Sequence, residues 1–346
     1  MMTISSHLRP SVFHYLKERI HALQNAGHPG TARNYLSALR SLQRFRQGLD
    51  IALEDTDAHL VDDYDAWMQR RGLSRNTRSF YLRILRAVLN HAAGEGIYIP
   101  DEPSQRLFRH VYTGVDRTTK RAAHLDVLEA LRTLPLDGPV ARRQRLTLAR
   151  DLFFFSFYTR GMAFVDIAYL RRENVRGGLI TYARHKTHQL LSISIEPCIR
   201  RILNRYYFRP GSNGYIFPII RSDHPEAAYR DYRNALSTYN RALACLGRML
   251  ARHLDADGNM PSASLGGAWR PTLSSYVARH TWASLAHDVD VPLRVISQSL
   301  GHANERTTQI YLAELNREVI DSANQRVLAL VEEENCREEA ETKNQE

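Results

Sequence analysis

The sequence predicts a mainly α-helical protein with a small β component, organised as two domains. Three observations predict it. Residues 8 to about 95 carry apolar residues at helical spacing in four successive stretches. Residues 179–195 hold two short β-type runs around a polar turn. Beyond them the helical period returns and continues past residue 300. A chain of 346 residues with 43% hydrophobic residues is long enough for two cores.

The first stretch is Val12–Gln24, with Val12, Tyr15, Leu16, Ile20 and Leu23 on one face, ending at Gly27 and Pro29. Thr31 is expected to cap a second helix that buries Tyr35, Leu36, Leu39, Leu42 and Phe45. Asp57–Gln69 forms the third, and Ser74 opens the fourth, with Tyr81, Leu82, Leu85, Val88 and Leu89 apolar. Arg75, Arg78, Arg83 and Arg86 lie on its other faces, as DNA contacts or as a solvated surface. Pro100, Pro103, Gly114 and the basic Arg117–Arg121 mark residues 97–121 as a linker. The domains are therefore read as 1–96 and 122–331, with 332–346 an acidic, disordered tail.

In the second domain, helices are expected over Leu125–Leu131, Arg143–Tyr158, Glu196–Tyr207, Ala227–His253, Leu273–His287 and Pro292–Leu300, with one more at Glu314–Leu330. The Leu152-Phe-Phe-Phe-Ser-Phe157 run should be deeply buried, and Asp255–Pro271 should be a surface loop. Leu179–Tyr182 and Leu190–Ile195 pair as a hairpin around Arg184-His-Lys-Thr-His188.

Charge points to a partner. The net is +10 and the sequence pI is about 9.6. The tail holds seven Glu against Arg337 and Lys343, so the body before it is more basic than the whole. That suits a phosphate backbone, where neutralised charge releases counterions. Three separated cysteines with no CxxC argue against a disulfide framework or a zinc site. No apolar run is long enough for a membrane span, and the N-terminus lacks the pattern of a secretory signal. A cytoplasmic protein is expected.

The chemistry-bearing residues form an ordered series. Arg160 and Lys186 come first. Arg279 is followed after 23 residues by His302, and after nine more by Tyr311. Breaking a DNA phosphodiester without a metal needs a nucleophile, cationic donors for the phosphorane and an acid for the departing 5′ oxygen. Tyrosine, two arginines and a lysine on a flexible hairpin fill those roles.

These stretches resemble the tyrosine recombinase (phage integrase) family. They are Tyr158-Thr-Arg-Gly-Met162 with Asp166-Ile-Ala-Tyr-Leu170, His185-Lys186-Thr187, Tyr276-Val-Ala-Arg279-His280-Thr-Trp282, Leu300-Gly-His302 and Thr307-Thr-Gln-Ile-Tyr311. The wording around Arg279 is similar to recombinases of Bacteroides-type bacteria. The resemblance implies a four-helix, SAM-like core-binding domain and a catalytic domain, closing as a C-shaped clamp on duplex DNA. It implies Tyr311 as nucleophile, Arg279 and Arg160 on the non-bridging oxygens, His302 on the same phosphate and Lys186 as general acid. Cleavage would leave a 3′-phosphotyrosine and a 5′-hydroxyl. Four protomers would act on two specific DNA sites, with no cofactor or metal and with possible accessory DNA-bending or directionality factors.

Two positions depart from the family pattern. Tyr276 stands where a histidine is usual; at i, i+3 from Arg279 it is expected to share that residue's face and to hydrogen-bond there. Counting back from Asp166 puts Ala163 at the usual place of the first arginine. Either Arg160, three residues earlier and read as on the same helix as Asp166, supplies that guanidinium, or the site works with one arginine fewer. Asp166 is read as structural, and His280 as a core residue bracing the site or as a phosphate ligand. The helical start near residue 8 leaves no room for an arm-binding domain, which favours DNA inversion over integration. The alternative is a DNA-binding regulator or architectural protein with impaired catalysis.

Overall fold

The structure is a computed structural model and describes residues 10–116, 122–208, 213–256 and 272–301. His302, Tyr311, the helix expected over 314–330 and the acidic tail all lie outside the described residues, as does the expected 255–271 loop apart from residues 255 and 256, which continue a helix. Two compact units divide between Thr118 and Thr119.

Unit 1 contains α1 (Val12–Asn25), α2 (Pro29–Phe45), α3 (Ala58–Arg70), α4 (Arg75–Gly94) and the short α5 (Ser104–Leu107). Three of these helices begin where a short polar side chain accepts an otherwise orphaned backbone N–H. Ser11 accepts from His14, Asp57 from Leu60 and Ser74 from Thr77. Helix α2 differs from expectation. Pro29 occupies its first turn, two residues before Thr31, because proline has no N–H to lose there. The core is the apolar stripe of these helices, with Leu16, Tyr64, Met68, Leu82 and Leu89 almost fully buried.

Residues 97–116, expected to be linker, are folded onto unit 1. Tyr98 and Phe108 join its core. Asn76 and Asp116 exchange two hydrogen bonds, and Ser79 Oγ donates to the Gly114 carbonyl. Two of the α4 arginines serve the same packing, and the other two bond within the helices. Arg75 lies over the Tyr112 ring, and Arg86 donates to Thr113 Oγ1. Arg78 pairs with Asp65 at 3.1 Å and Gln69 at 2.8 Å. Arg83 turns back to the Ser79 carbonyl.

Unit 2 contains α6 (Leu125–Thr133), α7 (Val140–Tyr158), α8 (Phe164–Ala168), β1 (Val175–Arg176), β2 (Leu179–Ala183), β3 (Leu190–Ser194), α9 (Pro197–Tyr206), α10 (Pro225–Ala256), α11 (Val277–Asp288) and α12 (Leu293–Ser299). The strands form an antiparallel sheet in the order β1-β2-β3, with Ile180 opposite Ile193. The expected hairpin is therefore two strands of a three-stranded sheet. Strand β1 is only two residues long, too short for a period-2 pattern to reveal.

Helix α7 is the centre of the unit, and both α10 and α11 pack on it. Leu152 to Ser156 are all buried and Phe157, expected to be deeply buried, is partly so, which covers most of the circumference of the last turns of α7. Phe155 meets Phe217 edge-on at 4.9 Å. Each such ring contributes about 1.5–3 kcal/mol of burial, enough to fix where α7 ends. Helices α11 and α12 form a small cluster through Ala283, Ala286, Ile296 and Leu300.

Candidate active site

The site begins at the end of α7. Thr159 N–H and Oγ1 both donate to the Phe155 carbonyl, and Gly161 N–H donates to Ser156 O. Between them the chain turns through two left-handed residues, Arg160 at φ +59° and Gly161 at φ +73°. Arg160 and Asp166 therefore do not share a helix, contrary to expectation. Arg160 lies in the turn closing α7, and Asp166 lies on α8. Ala163 is the N-cap of α8.

That turn presents the Gly161 carbonyl to α11. Arg279 Nη1 donates to it at 2.7 Å, and Nη2 donates to the Leu300 carbonyl at 2.5 Å. The approach is close: a Cβ on residue 161 would lie 2.8 Å from Arg279 Cγ and 3.0 Å from its Cα. Only glycine satisfies both the positive φ and the contact.

The sheet supplies the other side. In β2, Ile180 and Tyr182 are buried, and two residues on Arg184 is only 7% exposed. Arg184 Nη1 donates to Leu300 O at 2.9 Å and Gly301 O at 2.6 Å. Its Nε faces Asp166 Oδ2 at 3.6 Å, and Asp166 Oδ1 accepts the His185 N–H at 2.8 Å. The His185 ring stacks on Tyr169, centroids 4.7 Å apart. Lys186 follows in the exposed turn of the hairpin.

Charge and burial oppose each other here. Burial pushes the Asp166 carboxyl above its ordinary value. The His185 N–H and the charges of Arg184, His185 and Arg279 pull the other way. Burial also raises the Tyr182 phenol, reinforced by Asp166 and opposed by Arg184, Arg279 and Arg160. The guanidinium charges of Arg184 and Arg279 thus act on both groups, and that of Arg160 on Tyr182.

Among the predicted site residues, Arg279 and the turn bearing Arg160 come together through Gly161. Lys186 rides on the hairpin anchored by Arg184. Tyr276 is the N-cap of α11, half exposed, with its ring 5.2 Å from that of His280. Arg184 is the residue that sequence reasoning placed in the polar turn of the hairpin, without a role of its own. Its signal was the strand period: positions 180, 182 and 184 share one face. Among the described residues no group of three or more His, Cys, Asp or Glu side chains is placed to hold a metal. No described helix is long and apolar enough to cross a membrane.

The fold, an N-terminal SAM-like helical domain and a C-terminal catalytic domain, is that of the tyrosine recombinases. Residues 11–107 match the phage integrase SAM-like domain. The Tn1549 transposon integrase, in complex with transposon right end DNA, superposes with a TM-score of 0.65 at 15% identity, over 92% of this chain and 99% of that one. XerH site-specific recombinase, bound to palindromic difH substrate in a post-cleavage complex, gives 0.57 at 18% identity over 90% and 84%. A lambda integrase tetramer bound to a Holliday junction gives 0.55 at 14% identity over 88% and 78%. Comparison with curated protein sequences finds no match.

Proposed function

We propose that this protein is a tyrosine site-specific recombinase that cleaves and rejoins duplex DNA through a 3′-phosphotyrosine. The observation that carries the reading is the convergence of Arg279 and Arg184 on the Leu300 carbonyl, two residues before His302. The guanidinium on α11, the hairpin bearing Lys186 and the chain entering the Leu-Gly-His stretch are thereby gathered at one point. In the reaction, the Tyr311 phenol gives its proton to solvent water, its oxygen attacks phosphorus and the bond to the 5′ oxygen breaks. Lys186 gives its proton to that oxygen, leaving a free 5′-hydroxyl. Arg279, Arg160 and His302 balance the charge on the non-bridging oxygens, where aligned donors are worth most. Tyr276, at the mouth of α11, contributes a hydrogen bond from the position where a histidine is usual.

A 5′-hydroxyl from a partner strand then attacks the phosphotyrosine, restoring the tyrosine and joining the exchanged strands. Four protomers on two sites fit this exchange, and the tetrameric lambda integrase complex supports that assembly. With the two sites inverted on one molecule, the product is an inversion, the outcome we favour over integration or excision. The experiment is a covalent-adduct assay. The full chain is incubated with nicked duplexes carrying the sequence it selects from a random duplex library, then run in SDS. A protease-sensitive shifted band with wild type and none with Tyr311→Phe supports the reading. DNA binding by both proteins with an adduct from neither favours the DNA-binding regulator instead.

A further inference from the structure

The β2–β3 turn contains one arginine that is not on the surface. Arg184 is 7% exposed, and its guanidinium reaches three backbone or carboxylate groups at two places, the end of α12 and α8. Nη1 serves the Leu300 and Gly301 carbonyls at the end of α12. Nε faces Asp166 on α8. Asp166 in turn takes the N–H of His185, next to Lys186. The side chain passes so close beneath Gly301 that a Cβ there would lie 2.5 Å from Arg184 Cδ. Gly301 has φ +61°, so the close approach and the backbone conformation select the same residue.

Leu300 O is shared. Arg279 donates to it from one side and Arg184 from the other. A buried guanidinium without an anionic partner is costly, and Asp166 supplies that partner at 5% exposure. Lysine has a single nitrogen and no fork, so it cannot reach two carbonyls and a carboxylate at once.

We propose that Arg184 is a positioning residue for strand cleavage. Through Asp166, His185 N–H and the Leu300–Gly301 carbonyls, it holds the Lys186 hairpin in register with Arg279. This rests on the recombinase reading above and adds to it a residue that never touches DNA. Its consequence is specific. When the register is lost, Lys186 fails to deliver its proton to the 5′ oxygen, while the grip on the phosphate by Arg279 remains.

The test compares two nicked duplexes of the selected sequence, one with the ordinary bridging 5′ oxygen and one with a bridging 5′ sulfur. A thiolate leaves without a proton because thiol pKa values lie near 8.5. Arg184→Lys is expected to bind both duplexes like wild type. It should form adduct about 100-fold more slowly on the oxygen substrate, the size of effect a displacement of about 1 Å produces. On sulfur the loss should shrink to about tenfold or less, and Lys186→Ala should show the same pattern. Asp166→Asn, which keeps an acceptor for His185 N–H, should repeat the pattern more weakly and decides the matter if Arg184→Lys does not fold.

Wild-type rates on oxygen in both Arg184→Lys and Asp166→Asn would overturn the assignment. Equal losses on oxygen and sulfur would overturn it too, since they mark a general effect on the fold. Lys186→Ala without sulfur rescue removes the acid from Lys186, and the assignment falls with it. A wild-type protein that binds both duplexes and forms no adduct overturns the recombinase reading itself.

Discussion

Replacing Gly161 with alanine should damage the protein in a way the structure lets one calculate. Two costs combine. Residue 161 sits at φ +73°, and an L-residue in that region costs roughly 1–2 kcal/mol. The new methyl would also lie 2.8 Å from Arg279 Cγ, 3.0 Å from Cα and 3.1 Å from Cβ. One of these atoms is backbone of α11, which packs on α7 and cannot swing aside. Overpacking of this kind costs about 1–3 kcal/mol more. The sum is about 2–5 kcal/mol, or a fall in Tm on the order of 10 °C for a unit of this size. Gly177→Ala is the control. It shares the left-handed backbone, at φ +58°, but a Cβ there meets nothing within 4 Å. Calorimetry of the full chain would follow the unit 2 transition in both variants. The reasoning is refuted if Gly161→Ala melts no lower than Gly177→Ala.

Other consequences are equally direct. Arg78→Ala removes the partner of Asp65, whose carboxyl burial already pushes up, and should lower the unit 1 transition by about 1–3 kcal/mol. DNA affinity measured below that transition should be retained; a salt dependence weakened by about one contact would instead make Arg78 a phosphate ligand. Tyr15→Phe deletes the 2.6 Å hydrogen bond to Glu95 and should cost about 1 kcal/mol, read in urea unfolding. Asp166 has a folded-state pKa raised above its ordinary 3.8, so the native state holds this proton longer than the unfolded chain. Its contribution is fully present below 3.8 and is lost as pH rises through the folded value. Wild type should therefore lose stability relative to Asp166→Asn as pH rises from about 4; parallel pH profiles would contradict the shift.

Much of the fold was legible because helices announce themselves twice, by period and by cap. Ser74 and Asp57 stand at their helix starts as the sequence predicts, since a short side-chain acceptor has few other uses before an apolar stripe. Helix α8 was not legible. It is five residues long, and its separation from α7 depends on the left-handed pair Arg160–Gly161, a backbone event with no periodicity to betray it. The 97–116 segment read as linker from its prolines and glycine. It is held instead by side chains of α4, a tertiary contact that composition does not encode.

The candidate site divides in the same way. Arg279 was singled out from the stretch around it, and the structure places it buried against Gly161 with no room for a methyl there. Arg184 was hidden by the polar residues that follow it, although strand alternation puts it on the inner face with Tyr182. The α4 arginines were read as DNA contacts or as a solvated surface; the structure adds that all four guanidinium groups have partners within their own unit, a tertiary detail that spacing does not encode.

The most direct test of the central claim is to find the bonded atom. The chain has 17 tyrosines, so the position of a covalent link discriminates sharply. Wild-type adduct on the nicked duplex would be digested with nuclease and protease, and the nucleotide-bearing peptide sequenced by mass spectrometry. The account predicts a nucleotide 3′-phosphate on Tyr311 alone. A link at any other residue, or attachment through a 5′-phosphate, would contradict it.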